Sequence, residues 1–94
     1  MATSEVEPIE LPRYVAFRAW RTVPVIARIE SRRSGRLWGH WFSRITPDGG
    51  TLRKLPLGGV VFVESNDEAE RLIDRIRAGK DLPEEFVQKL NVID

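Results

Sequence analysis

The hydrophobic period of this chain changes once, from about two before Glu64 to about 3.6 after Ser65, and that change decides which folds are open to it. In the first part, Tyr14, Ala16, Arg18 and Trp20 alternate with Val15, Phe17, Ala19 and Arg21, with the aromatic and β-branched enrichment of a strand. Pro24 cannot donate to a ladder, so it marks a bulge, a bend or an edge before Val25 to Glu30 resumes the strand pattern. SRRSG (31–35) reads as a polar turn. Arg36 to Ile45 is a further strand, on which Trp38 and Trp41 stand three positions apart and therefore point to opposite faces. TPDGG (46–50) is a turn with Pro47 suited to its first central position, followed by a short strand Thr51 to Leu55. LGG (57–59) breaks the chain again before Val60 to Glu64, which reads as a buried strand.

The second part is helical. Ser65 and Glu68 have the spacing of a capping box, and Asp67, Glu68 and Glu70 place negative charge at the positive end of the helix dipole. Ala69, Leu72, Ile73 and Ile76 form a single apolar stripe, and Gly79 supplies a stop. The outer face, with Glu70, Arg71, Asp74, Arg75 and Arg77, reads as solvated. A shorter helix beginning near Pro83 turns Phe86, Val87 and Leu90 one way. The expected fold class is α+β: an antiparallel meander of four to five strands, open or curled toward a barrel, with one helix packed on it and a short C-terminal helix. Residues 1–12, with three glutamates and two prolines, read as a flexible acidic arm ahead of one domain over 13–94.

Little here points to catalysis, and no catalytic residue, metal site or cofactor is expected. Cysteine is absent, which removes thiolate chemistry and suits a reducing, cytoplasmic setting. His40 is the only histidine, and between Gly39 and Trp41 it reads as a partly buried structural residue. The paired glycines at 49–50 and 58–59 match neither phosphate-binding fingerprint and are better read as turns. The acidic start has no apolar run of a signal peptide, and the longest apolar stretch, Val60 to Val63, falls far short of the roughly 20 residues of a membrane span.

Charge is distributed unevenly. Residues 1–12 carry −3, residues 13–56 carry +8 and residues 57–94 carry −4, which together give the net +1. All three tryptophans lie in the basic segment, and nine of its ten bases are arginine, whose planar fork of donors suits phosphate and stacks on rings. The leading expectation is a non-catalytic nucleic-acid-binding surface, favouring single-stranded DNA or RNA, formed by Arg18, Trp20, Arg21, Arg32, Arg33, Arg36, Trp38, Arg44, Arg53 and Lys54. The order of a PDGG turn, a basic strand (Thr51 to Leu55), a short apolar strand (Val60 to Val63) and a capped helix resembles single-strand DNA-binding coactivator domains over residues 36 to 78. Where that family opens its last strand with lysine and glycine, this chain has Leu57, Gly58 and Gly59, so no functional residue is carried over. A second reading takes the basic sheet and acidic helix as docking surfaces of a protein-interaction or regulatory module, a homodimer included, using a sheet edge or the strip Phe86, Val87 and Leu90. The tryptophans would then fill a small core and the arginines would meet Glu68, Glu70 or Asp74.

Overall fold

A computed structural model describes residues 11–19, 23–34, 36–55 and 60–91. Of the acidic arm, only Leu11 and Pro12 are among them, both exposed. The fold is α+β: strands β1 (Arg13–Ala19), β2 (Val23–Arg33), β3 (Arg36–Phe42), β4 (Gly50–Leu52) and β5 (Val61–Val63) are followed by helices α1 (Asn66–Arg77) and α2 (Glu84–Gln88). The strands form one antiparallel sheet in the order β4-β3-β2-β1-β5. Its first four strands follow one another as a meander. The fifth lies at the far edge, beside β1, so among the described strands the sheet is open rather than barrel-like.

Alternation along the strands sorts side chains onto two faces. One face carries Tyr14, Ala16, Ile26, Phe42 and Val63, and α1 buries its stripe of Ala69, Leu72, Ile73 and Ile76 against them. The expected cap is present: Ser65 Oγ accepts from the Glu68 backbone N–H at 3.2 Å, and Gly79 takes φ 77° just beyond the helix end. Leu90 is buried in this core and Phe86 packs against it, whereas Val87 lines a recess with Arg18 and Arg44, so the three do not form one open strip.

The opposite face is apolar too. Val15, Ala27, Ile29 and Leu52 cluster there with Leu37, Trp41, Leu55 and Val60 around them. The last two come from either end of the connection between β4 and β5. Those strands lie at opposite edges of the sheet, and Leu55 and Val60 both pack against this second face.

Three local expectations are corrected. Residues 31–33 (SRR) are not a turn but the far end of β2, paired through Arg33↔Arg36, with only residues 34 and 35 between the strands. Ser34 takes φ 54°, as the tight connection of a two-residue hairpin requires. The segment around β5 is an edge strand rather than a buried one: Val63 points into the core, whereas Phe62 is 51% exposed. Glu70 is not simply solvated on the outer face of α1 but reaches the sheet, where it pairs with Arg28. Pro24 lies where β2 pairs with β1 alone, because the β2–β3 ladder begins at Ile26↔Phe42, and its missing N–H costs that ladder nothing.

Candidate functional site

The β2–β3 hairpin outruns its neighbours. β1 pairs with β2 only as far as Arg13↔Ile29, and β4 pairs with β3 only from Gly39↔Leu52 to Trp41↔Gly50. Beyond those pairs, Ser31↔Trp38, Arg32↔Leu37 and Arg33↔Arg36 form a two-stranded ribbon with no further described strand beside it. A β-bulge between Ile29 and Ser31 sits at its base and increases the local twist. Residues 30–34 are all exposed, as are Arg36 and Trp38.

Pairing places Arg33 and Arg36 together on the ribbon face that continues the α1 side of the sheet, as does Trp38. Arg32 stands on the other face with Leu37, beside a recess shared with Leu11, Arg13, Ile29, Leu55 and Phe62. Trp38 is 46% exposed, and the Arg53 guanidinium lies over its ring at 5.0 Å from the centroid. Arg13 covers Phe62 in the same way at 4.4 Å. Given the strand order, Arg13 and Arg53 flank the ribbon base from opposite sides, one at the start of β1 and one just past β4. Arg13, Arg32, Arg33, Arg36 and Arg53 form no ion pair with any described carboxylate.

Other basic residues have different roles. Arg18 donates through Nε and Nη2 to the Leu90 carbonyl at 3.2 and 2.9 Å, tying β1 to the chain after α2. It lines a recess with Arg44 and Lys80 at the end of the sheet away from the ribbon, together with Asp81 and Glu84. Lys54 lines an apolar recess of about 420 Å³ with Phe17, Val25, Trp41 and Leu52 on the helix-free face. Trp20 and Arg21 lie outside the described residues. Of the ten residues singled out from sequence, the structure therefore gathers Arg32, Arg33, Arg36, Trp38 and Arg53 at one end and places Arg18 and Arg44 at the other.

Sequence reasoning passed over Arg13, Phe62 and Arg28. Arg28 anchors a polar chain on the α1 side: its Nη1 lies 2.9 Å from Glu70 Oε2 and its Nε 2.8 Å from Glu30 Oε2. Tyr14 donates its hydroxyl to Glu70, and His40 Nδ1 lies 2.8 Å from Glu30 Oε2. Burial opposes the charge on Glu70, yet the hydrogen bonds from Tyr14 and Arg28, with the Arg28 charge, hold its carboxyl below the usual range. Glu30 is lowered against the same burial by His40 and Arg28. Tyr14 is pushed up to about 12, chiefly by burial and then by its bond to Glu70. The chain fastens α1 to the sheet, and its members line none of the recesses above. His40 is exposed, not partly buried as its neighbours suggest. Among the described residues no group of three His, Asp or Glu side chains is placed to hold a metal, and no helix is long and apolar enough to cross a membrane.

Alternation along β2 and β3 could have flagged Arg28, because Arg28 and His40 each fall on the same side of their strands as core residues. Phe62 and Arg13 become neighbours only through β1–β5 pairing, for which the sequence holds no local signal. Searches of protein-family models, curated proteins and solved structures find no match to this chain, so the likeness to single-strand DNA-binding coactivator domains is carried no further.

Proposed function

We propose that this protein is a non-catalytic nucleic-acid-binding domain that acts in the cytoplasm and makes its contacts through the ribbon end of the sheet. The observation that carries this reading is the division among the arginines. Arg18 and Arg28 are committed to internal hydrogen bonds, whereas Arg13, Arg32, Arg33, Arg36 and Arg53 share one end, without a described carboxylate partner, around the exposed rings of Trp38 and Phe62. Unpaired guanidinium groups at this density repel one another, and phosphate oxygens relieve that repulsion while releasing condensed counterions.

The test is fluorescence anisotropy with labelled single- and double-stranded oligonucleotides at low and at physiological salt. Affinity is expected to fall steeply with salt. The double substitution Arg13→Ala/Arg53→Ala should lower the magnitude of the logarithmic salt slope by about 2, since each of these arginines neutralises one phosphate. Arg44→Ala, at the far end of the sheet, should leave the ribbon contacts intact and shift affinity little. If every oligonucleotide fails to bind at low salt, the reading is wrong, and the basic end is then to be tested against acidic protein partners.

A further inference from the structure

Resting on that reading, the geometry points to a more specific ligand: we infer that the ribbon Ser31–Trp38 enters the major groove of double-stranded DNA. Three observations lead there. The first is shape. Three residue pairs and a two-residue connection, at about 3.3 Å per residue, project roughly 10 Å beyond the wider sheet, and the two strands lie about 4.8 Å apart. A two-stranded ribbon of that size fits the major groove of B-form DNA, about 12 Å wide and 8.5 Å deep, whereas the minor groove is about 6 Å wide. The major groove of duplex RNA is too narrow for it.

The second is the pair of shoulders. Arg13 and Arg53 sit on the strands either side of the ribbon, three strand spacings or about 14 Å apart at the level of the backbone, close to the separation of the groove walls. They can take phosphates from both walls while the ribbon lies between. Arg33 and Arg36, side by side near the tip, are then left to reach base edges, and guanine O6 and N7 accept a guanidinium fork in bidentate fashion.

The third observation bears on single strands. A stacking platform needs open ring faces on a common surface. Here Trp38 and Phe62 stand on opposite faces of the sheet, Phe62 paired across from Val15 and Trp38 on the side of His40 and Phe42, and each ring carries an arginine on one face. Trp41, the remaining described tryptophan, packs against the apolar cluster on the helix-free face.

Anisotropy at matched salt with one sequence prepared as duplex DNA, single-stranded DNA and duplex RNA, followed by dimethyl sulfate footprinting of the DNA duplex, tests this inference. Duplex DNA should bind tightest, guanine N7 in the major groove should be protected, and adenine N3 in the minor groove should remain reactive. Arg33→Ala or Arg36→Ala, with an unchanged circular dichroism spectrum, should each weaken duplex binding about 10-fold and abolish the N7 protection, while Arg44→Ala stays within about 2-fold. Equal or tighter binding of single strands or duplex RNA, or protection confined to adenine N3, overturns the inference and leaves the broader nucleic-acid reading standing. Absence of binding to all three removes both.

Discussion

Tyr14 is the chain's only tyrosine, so a phenol titration followed by ultraviolet absorbance reports on that one residue, its burial and its hydrogen bond to Glu70. Its pKa, raised from an ordinary 10.0 to about 12, means that the folded state favours the neutral phenol. That stabilisation is complete below about pH 10 and disappears as pH climbs through about 12. Glu70 behaves in the opposite sense. Its lowered pKa gives stability above the ordinary 4.5, lost as pH falls through the folded value. Glu70→Gln should therefore flatten the acid limb of the stability profile and cost about 0.5–1 kcal/mol at neutral pH, a small figure because the Glu70 side chain is 42% exposed and screened. In the same variant the tyrosine midpoint should drop only part of the way back toward 10, because burial, the larger cause of its shift, is untouched. A midpoint that does not move would show that the hydroxyl and Glu70 are not partners in solution.

The ribbon depends on one close approach at its base. A methyl group built at Gly39 would lie 1.9 Å from the Arg28 carbonyl oxygen and 3.2 Å from the Glu30 nitrogen, both backbone atoms of β2 beside the bulge. Neither can move without disturbing the ladder. Gly39→Ala is accordingly expected to destabilise the fold by about 3 kcal/mol, measured by urea denaturation, the upper end of what overpacking commonly costs. A loss below about 1 kcal/mol would mean that the bulge relaxes, and that the ribbon is less firmly set against the sheet than its pairing implies. The contrast with α1 is instructive: that helix is specified by its cap, its stripe and its stop within 15 residues of sequence, Ser65 to Gly79, whereas the bulge and the glycine that admits it lie on different strands.

At the scale of the molecule, Leu55 and Val60 decide how much of the helix-free face is covered. They help to make the helix-free face a second apolar cluster, while Arg13, Arg32, Arg33, Arg36 and Arg53, without a described carboxylate partner, gather at one end. Leu55→Ala, which removes part of this cover, should cost about 1–2 kcal/mol and increase binding of a hydrophobic dye, with the α1 side unaffected. Unchanged stability would mean that Leu55 rests on the sheet without sealing the cluster beneath it. Much of this architecture can be read from residues alone. The period change at Ser65, the alternation of Tyr14 to Ala19, the opposition of Trp38 and Trp41 and the stripe Ala69, Leu72, Ile73 and Ile76 are local properties, because backbone geometry converts spacing directly into facing. The sequence by itself determined the elements, their order and the α+β class. Only the tertiary structure decided that β5 joins β1, that residues 31–33 extend a ribbon instead of turning, and that Arg28 is held inside while Arg33 and Arg36 meet no described carboxylate. The physical reason is that alternation states which residues share a face but not which face another segment covers, and that depends on pairings between residues far apart in the chain.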